Sequence, residues 1–296
     1  MSGEPTNLEP LGAGQTPAGG LMAGKKGLVM GLANDKSIAW GISQALRAQG
    51  ADFAISYQGG PLEKRVKPLM EKLGLSEDRL LVCDATDEES IEQTIAATAA
   101  LFDGGIDFIV HAIGFSDKDE LRGKYLNTSK QNFLFTMDVS CWSFTAVAKA
   151  AEQFMRPGGS MVTLTYYGSQ MVIPNYNVMG VAKAALEASV RYLAHDFGTQ
   201  GVRVNSVSAG AIRTLAASGI GDFKAMLKWG ELNAPLRKNV TTDEVGNATL
   251  YLLSDWASGV TGQCHYVDAG SNTQGMIAMD SAPELGELLG QMRPRD

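Results

Sequence analysis

Two tyrosines and one lysine, Tyr166, Tyr176 and Lys183, are the residues whose types and spacing most directly suggest chemistry. Lys183 follows Tyr176 by seven residues, a separation close to two turns of an α-helix. A helix would place both side chains on one face, about 10 Å apart along its axis, with the lysine leaning back toward the phenol. Such a pair can hold a cofactor and stabilise a developing oxyanion, although two residues of an ordinary surface helix could also align in this way.

The elements that must position these residues follow a regular pattern. Strand-like and helix-like segments alternate about every 25 residues, which is typical of one parallel sheet with right-handed crossovers. We therefore predict an α/β fold, a single doubly wound Rossmann-type domain with a seven-stranded parallel sheet. The predicted strands cover residues 27–31, 51–57, 79–83, 106–112, 160–165, 201–207 and 263–268. Ligands of such sheets bind at the carboxyl ends of the strands, where Gly31, Gln58, Asp84, Gly114 and Tyr166 fall.

The composition of the two chain ends predicts tails around this domain. Residues 1–22 are mostly Gly, Pro, Ser, Thr and Glu with few large apolar side chains, so we predict a disordered N-terminal tail. Residues 23–280 would form the domain, and residues 281–296 a C-terminal tail. We also predict a long helix over residues 132–155 that ends at the Pro-Gly-Gly of residues 157–159, and a second over residues 175–198.

Charge and cysteine usage narrow the class of protein. The chain of 296 residues carries a net charge of −7, which disfavours nucleic acid and anionic membranes as partners. Its three cysteines, Cys83, Cys141 and Cys264, are far apart and indicate reduced thiols in a cytoplasmic protein. The three histidines, His111, His195 and His265, are far apart in the sequence, which argues against a metal site. We find neither an apolar run of membrane-spanning length nor a secretory signal pattern.

The segment between the first strand and the first helix indicates a dinucleotide. Gly31, Ala33 and Ser37 form a turn of small residues, which lets the backbone approach a pyrophosphate at a helix N-terminus. The usual G-x-G-x-x-G spacing is absent, so an ordinary strand-to-helix turn remains an alternative.

The adenosine end of the predicted site favours NADH over NADPH. No acidic residue occupies position 57 or 58, where a ribose-binding carboxylate would be expected, but Gln58 could bond to the adenosine. Lys64 and Arg65 could meet a 2′-phosphate, although a solvated charged face is the simpler use for them. Asp84 could meet the adenine amino group or cap the following helix.

Four motifs in order resemble one family. The chain is similar to the short-chain dehydrogenase/reductases and, more closely, to the bacterial NADH-dependent enoyl-acyl-carrier-protein reductases of fatty acid synthesis. The matching motifs are Gly31-x-Ala33-x-x-x-Ser37-Ile38-Ala39-x-Gly41, His111-Ala112-Ile113-Gly114-Phe115, Tyr176-x6-Lys183 and residues 211–220. The six residues between tyrosine and lysine are specific to this subfamily, because most short-chain reductases have three. Thr163 also stands where the wider superfamily has serine.

The resemblance implies a reaction and three catalytic residues. Hydride passes from NADH to C3 of a trans-2-enoyl thioester on acyl carrier protein, and negative charge develops on the thioester oxygen. Tyr176 would donate a hydrogen bond to that oxygen, Lys183 would hold the nicotinamide ribose, and Tyr166 would line the acyl pocket near the carbonyl.

The resemblance also implies the remaining contacts. Cofactor-binding residues would be Gly31, Ala33, Ser37, Ile38, Gln58, Asp84, Ala85, Ile113, Gly114, Lys183, Ile212 and Thr214. The substrate pocket would be formed by Phe115, Leu121, Tyr166, Tyr176, Met179, Ala216, Ile220 and Phe223. The segment 214–229 would form an apolar lid, with a plain amphipathic connector as the alternative.

The resemblance implies a homotetramer in which the two long helices, 132–155 and 175–198, pack across subunits. Two other functions are compatible with the same residues. A short-chain reductase acting on a ketoacyl thioester would use the same scaffold, although the shorter tyrosine–lysine gap is typical of carbonyl reduction. A non-catalytic NADH-binding regulator is the second alternative, although it would be expected to lack the tyrosine or the lysine.

Overall fold

The computed structural model describes residues 19–215, 217, 221 and 223–291. Within them, seven strands form one parallel sheet, which confirms the predicted doubly wound α/β fold. The strands are β1 (Lys26–Met30), β2 (Asp52–Tyr57), β3 (Leu80–Val82), β4 (Ile106–His111), β5 (Met155–Thr165), β6 (Arg203–Ala209) and β7 (Cys264–Val267). Their order across the sheet is β3-β2-β1-β4-β5-β6-β7. The strand order therefore reverses between β1 and β4, where ligands of such sheets bind.

Helices cover both faces of the sheet. They are α1 (Ile38–Ala48), α2 (Glu63–Lys72), α3 (Glu88–Ala100), α4 (Lys130–Met137), α5 (Ser143–Ala151), α6 (Asn177–Gly198), α7 (Phe223–Asn233), α8 (Thr242–Leu253) and α9 (Ala282–Gln291). Helices α1 and α8 pack against each other on one face, and α3, α5 and α6 cover the other.

Each face of the sheet carries its own apolar core, because successive strand residues point to opposite sides. In β1, Val29 packs with Ile42 of α1 and Val245 of α8. Its neighbour Leu28 belongs to the other core, with Phe144 of α5 and Leu186 of α6. Because both of their faces are buried, β1, β2 and β4 are largely apolar, whereas β6 also buries the polar side chains of Asn205, Ser206 and Ser208.

The predicted helix over residues 132–155 is wrong in its course and its end. The helical segment begins at Lys130, widens into a π turn over Asp138–Trp142, and ends at Ala151. The predicted stop, residues 157–159, lies inside β5, which begins at Met155 rather than at residue 160. The pairing of β4 with β5 shifts register between Ile106 and Phe108, and proline is tolerated at such irregularities because it has no amide hydrogen to donate.

The predicted tail boundaries also need correction. Residues 19–22 belong to the folded unit: Leu21 N donates to Gln49 Oε1 at 3.0 Å, and the Met22 side chain is fully buried. Residues 1–18 lie outside the described residues. The predicted C-terminal tail contains α9, which packs against α7 and buries Leu285. No helix in the described part of the chain is long and apolar enough to cross a membrane.

Candidate active site

A cleft of about 1670 Å³ lies at the carboxyl edge of the sheet, over the point where the strand order reverses. Its volume exceeds the roughly 300–1,000 Å³ of a typical small-molecule pocket, so it can hold a dinucleotide and a second ligand together. With two exceptions, every predicted cofactor and substrate residue lines this cleft. The exceptions, Ala216 and Ile220, lie outside the described residues.

The turn between β1 and α1 is shaped for close backbone approach. Gly31 has φ +90°, and a Cβ atom there would lie 2.3 Å from the carbonyl oxygen of Ala112, so no other residue fits. The Ser37 hydroxyl accepts hydrogen bonds from the amides of Ala33 and Asn34 at 3.2 and 3.0 Å. Helix α1 then begins at Ile38 with its N-terminus toward the cleft. A pyrophosphate is the group that such a helix end attracts.

The adenosine end of the cleft contains Gln58 and Asp84. The capping alternative for Asp84 is wrong, because Asp87 caps α3 by accepting from the amide of Glu89 at 3.0 Å. One Asp84 carboxylate oxygen instead accepts from the amide and hydroxyl of Thr86, at 2.9 and 2.8 Å. These bonds hold the Asp84 side chain at the rim of the cleft.

Lys183 lies on α6 and is buried beneath the cleft. Its Nζ donates to the carbonyl oxygen of Leu164 at 2.8 Å, near the carboxyl end of β5. Burial lowers the Lys183 pKa from 10.5 to about 8, because a charge loses hydration there. The ammonium form therefore predominates at neutral pH, although the proton can be lost under mildly alkaline conditions.

The helix that carries Lys183, α6, begins at Asn177 rather than at residue 175, so Tyr176 is the residue immediately before this helix and not part of it. Its ring is buried and meets the ring of Tyr166 edge to face, with centroids 5.0 Å apart. A Cβ atom at Gly168 would lie 2.5 Å from the Tyr176 ring, so glycine makes room for this arrangement. Burial raises the pKa of Tyr176, and that of Tyr166 to about 12. Both phenols therefore keep their protons and can donate hydrogen bonds.

Two asparagines that the sequence interpretation missed flank Tyr176. Asn175 has φ +60° and Asn177 has φ +37°, in the left-handed region that asparagine tolerates better than most residues. The side-chain amide of Asn177 donates to the carbonyl oxygens of Leu121 and Gly123 at 3.0 and 3.2 Å. These bonds connect the start of α6 to one wall of the cleft. Asparagine on both sides of a candidate catalytic tyrosine is a signal that could have identified them.

Thr163, which stands where the superfamily has serine, makes a structural contact with His111. Its hydroxyl lies 2.9 Å from Nδ1 of His111, and the other ring nitrogen lies 2.9 Å from the Ser143 hydroxyl. Burial first, then the positive charge of Lys183, lowers the His111 pKa to about 3. The imidazole is therefore a neutral core group, and neither His111 nor Thr163 lines the cleft.

The substrate end of the cleft is apolar. Phe115, Leu121, Met179 and Phe223 line it, and Phe135 joins them through an edge contact with Phe115 at 5.8 Å between centroids. Sequence interpretation missed Phe135. It also missed the buried Ser140 of the π turn, whose hydroxyl accepts from the Phe115 amide and donates to the Phe115 carbonyl, both at 3.0 Å.

The described part of the lid segment consists of residues 214, 215, 217, 221 and 223–229. Thr214, Leu215, Ala217, Phe223 and Met226 line the cleft. This segment therefore contributes apolar side chains to the lining of the cleft. Among the residues that the structure describes, no group of histidine, cysteine, aspartate and glutamate side chains could hold a metal ion.

Comparison with known proteins identifies the family of the chain. The model of the enoyl-(acyl carrier protein) reductase family matches residues 31–272. Enoyl-acyl-carrier-protein reductase (NADH) 1 of Rhizobium meliloti is 58% identical over 92% of this chain and 98% of its own. The Bacillus subtilis enoyl-acyl-carrier-protein reductase (NADH) is 49% identical over 84% of this chain and 96% of its own.

A solved structure shows the same architecture. The enoyl-acyl-carrier-protein reductase of Anaplasma phagocytophilum, solved in complex with NAD, superposes with a TM-score of 0.85 and 52% identity over 90% of this chain and 100% of its own. The fold, the cleft, the tyrosine–lysine spacing and these identities lead to one conclusion: the chain belongs to the enoyl-acyl-carrier-protein reductase family of short-chain dehydrogenase/reductases.

Proposed function

We propose that this chain reduces trans-2-enoyl thioesters of acyl carrier protein to the saturated acyl thioesters, with NADH as the reductant, in fatty acid elongation. The observation that carries the proposal is the placement of Tyr176 and Lys183 in one cleft, between a dinucleotide-shaped turn and an apolar pocket. The names of the relatives from Rhizobium meliloti and Bacillus subtilis, which specify NADH, support the choice of cofactor.

The residues of the cleft fit NADH at identifiable positions. The Gly31–Ser37 turn and the start of α1 suit the pyrophosphate, and Gln58 and Asp84 suit the adenosine. Lys183 suits the nicotinamide ribose hydroxyls, because it is a cation held at the floor of the cleft by Leu164. NADH, when bound, would supply the hydride that is added to C3 of the enoyl group. A proton added to C2 of the resulting enolate completes the saturated thioester.

Tyr176 and Lys183 stabilise the charge that develops on the substrate. The Tyr176 phenol is protonated across the physiological pH range and donates a hydrogen bond to the thioester oxygen as it becomes an enolate. One such donor in a water-poor site contributes about 3–4 kcal/mol to transition-state stabilisation. The Lys183 ammonium adds a favourable positive field, and the Tyr166 ring limits the motion of Tyr176 through its edge contact.

The apolar end of the cleft suits the acyl chain. Phe115, Phe135 and Met179 present apolar side chains beside the tyrosine pair, and Phe223 does so from α7. The described part of the lid segment brings Leu215, Ala217, Phe223 and Met226 to this end of the cleft. Closure of these side chains over the acyl chain would exclude water, which strengthens the electrostatic interactions inside.

Parallel assays test the proposal against its alternatives. The purified protein should oxidise NADH with a crotonyl thioester and should do so poorly with an acetoacetyl thioester, with NADPH compared side by side in each reaction. Oxidation of NADH with the acetoacetyl thioester alone would identify a carbonyl reductase. Binding of NADH without turnover of either substrate would identify a non-catalytic regulator.

We also propose a cytoplasmic homotetramer in which the segment 130–151 and helix α6 pack across subunits. Exposed apolar side chains on these elements support this assembly: Leu134 on α4, Trp142 in the π turn, and Val181 and Tyr192 on α6. The three cysteines are unpaired thiols, which fits a reducing compartment. Sedimentation tests the oligomer, and cell fractionation tests the location.

A further inference from the structure

Glu187 is a buried carboxylate that the proposed mechanism does not use. It lies on α6 one turn beyond Lys183 and is only 8% exposed. A buried carboxylate is costly unless hydrogen bonds or a nearby positive charge compensate the lost hydration. Glutamate at this position therefore needs a reason beyond packing.

Two hydroxyl groups meet one oxygen of this carboxylate. Oε1 of Glu187 accepts from the Thr165 hydroxyl at 2.7 Å and from the Ser169 hydroxyl at 2.6 Å. Two such donors stabilise the ionised carboxylate. Thr165 is the last residue of β5, and Ser169 ends the short turn that follows it. The two donors thus bracket Tyr166.

Helix α6 consequently holds the end of β5 and the turn after it through three residues. Lys183 bonds to the backbone of Leu164, and Glu187 bonds to the side chains of Thr165 and Ser169. The segment that carries Tyr166 is fixed to the helix that carries Lys183 and begins next to Tyr176. The relative positions of the three candidate catalytic side chains depend on this clamp.

We propose that Glu187 is a positioning residue, whose carboxylate fixes the Tyr166 segment against α6 and whose negative charge favours the ammonium form of Lys183. The inference about charge rests on the proposed role of Lys183 in cofactor binding. The inference about the clamp rests on the hydrogen bonds alone.

Near neutral pH, Glu187 is the neighbour of Lys183 whose charge acts on it, because the other two titratable neighbours are neutral. Cys141 in the π turn also acts on Lys183, and Lys183 in turn acts on His111 in β4. Burial raises the pKa of the Cys141 thiol, and the His111 pKa is about 3, so both groups are neutral.

The groups that face Glu187 from β7 are neutral in the same range. They are Cys264 and Tyr266, whose pKa values burial raises to about 11 and about 12. The phenols of Tyr166 and Tyr176 keep their protons as well. A substitution that neutralises Glu187 therefore removes a negative charge that these neighbours cannot replace.

The pH dependence of NADH binding tests the electrostatic part. NADH fluorescence gives the dissociation constant of the intact protein between pH 6.5 and 10. For the wild type, affinity should fall as pH rises through about 8, where Lys183 loses its proton. In Glu187→Gln the midpoint of this loss of NADH affinity should lie about one pH unit lower, because the negative charge that stabilises the Lys183 ammonium is gone. Asp196→Asn, a charge change at an exposed position of the same helix, should leave the midpoint unchanged.

Steady-state kinetics with a crotonyl thioester test the clamp. Glu187→Asp keeps the charge but shortens the side chain, so it should keep the wild-type midpoint for NADH binding while kcat falls at least tenfold. Ser169→Ala should lower kcat by a smaller factor with NADH affinity unchanged. Thermal unfolding shows whether each variant is folded.

Two results would overturn the proposal. One is a folded Glu187→Gln protein with the wild-type midpoint. The other, decisive even if Glu187→Gln does not fold, is a Glu187→Asp protein with wild-type kcat. Absence of enoyl reduction in the wild type would contradict the proposed function, whereas the shift in binding midpoint is measured without any turnover.

Discussion

At the residue scale, burial determines how firmly the candidate catalytic side chains hold their protons. Desolvation is the largest influence on Lys183, Tyr176 and Tyr166, and it acts on them in opposite directions. The lysine approaches the point of losing its proton, whereas the phenols hold theirs more firmly. A cleft with this composition stabilises an oxyanion through neutral donors and a single buried cation.

The hydroxyl of Tyr176 should matter for turnover and little for cofactor affinity. Tyr176→Phe removes one hydrogen-bond donor from the developing oxyanion, which lowers kcat by about 10²–10³-fold. The NADH dissociation constant should stay within about twofold. Tyr167→Phe is the matched control, because the Tyr167 hydroxyl donates to the Asn272 carbonyl at 3.1 Å and does not line the cleft. Equal losses of kcat in the two variants would show that the Tyr176 hydroxyl does not specifically stabilise the oxyanion.

Replacing Lys183 should weaken NADH binding and strengthen the fold. Burial lowers the Lys183 pKa to about 8, so the charged lysine destabilises the folded chain fully below pH 8. That cost decreases as pH rises from 8 toward 10.5. Lys183→Met should therefore raise the free energy of unfolding at pH 7 by about 2 kcal/mol and weaken NADH binding at least tenfold. Urea unfolding and NADH fluorescence measure the two effects.

The exposed Lys149 provides the control for that substitution. Lys149→Met should change neither the unfolding free energy by more than a few tenths of a kcal/mol nor the NADH affinity. Retention of full cofactor affinity in Lys183→Met would show that Lys183 does not bind the cofactor.

His111 should make the protein sensitive to acid. Its pKa falls from 6.5 to about 3 on folding, so the stability associated with its neutral form is complete above pH 6.5 and is lost as pH falls toward 3. Between pH 7 and pH 5 the wild type should lose about 2 kcal/mol through this group. Over the same pH interval, the free energy of unfolding of His111→Gln should fall by about 2 kcal/mol less than that of the wild type. His195→Gln, a change at an exposed position, should show the same loss as the wild type. Urea titrations at the two pH values decide between these outcomes.

At the scale of elements, a single turn fixes the dinucleotide end of the cleft. Gly31 in this turn combines a left-handed backbone with the close approach of Ala112, whereas Gly24, with φ +77°, has open space around it. Both Gly31→Ala and Gly24→Ala carry the left-handed strain of about 1–2 kcal/mol. Gly31→Ala should cost at least about 2 kcal/mol more and should abolish NADH binding. Similar unfolding free energies for the two variants would contradict the steric explanation.

Local sequence patterns predicted the elements that follow from periodicity, and they failed where the structure departs from it. Strands β1, β2 and β4 are largely apolar because both of their faces are buried, and the cofactor turn is recognisable as small residues before α1. The π turn over Asp138–Trp142 has no compositional signature, because it changes only which carbonyl each amide meets. Met22 lies in a segment rich in glycine, where one apolar side chain gives no pattern.

The candidate site was predictable to the extent that its residues follow strands. Gly31, Asp84 and Tyr166 lie at predicted strand ends, and the cleft brings them together. The supporting contacts of Glu187, Asn177 and Ser140 connect elements far apart in the chain. Such long-range contacts depend on the tertiary arrangement, which local patterns do not contain.

At the scale of the whole molecule, the proposed tetramer depends on exposed apolar side chains of α6 and its neighbours. Tyr192 is 75% exposed on α6. A charge placed there would meet an apolar partner surface in the assembly, so Tyr192→Asp should shift the protein from tetramers to smaller species in sedimentation velocity. Val82→Asp, at a side chain 58% exposed on the edge strand β3, should leave the tetramer intact. A monomeric wild type would refute the assembly itself.

The π turn restricts which insertions and deletions this part of the protein can tolerate. Val139 in this turn lines the cleft, and Trp142, three residues later, is exposed on the proposed subunit interface. A π turn holds one residue more than the corresponding turn of an α-helix, so deleting one residue here would restore a regular helix with α4 and α5 still in phase. It would remove one of the side chains that point to the cleft or to the interface. An insertion or deletion in the regular helix α4 would instead rotate everything after it by about 100° and carry Phe144 out of the core.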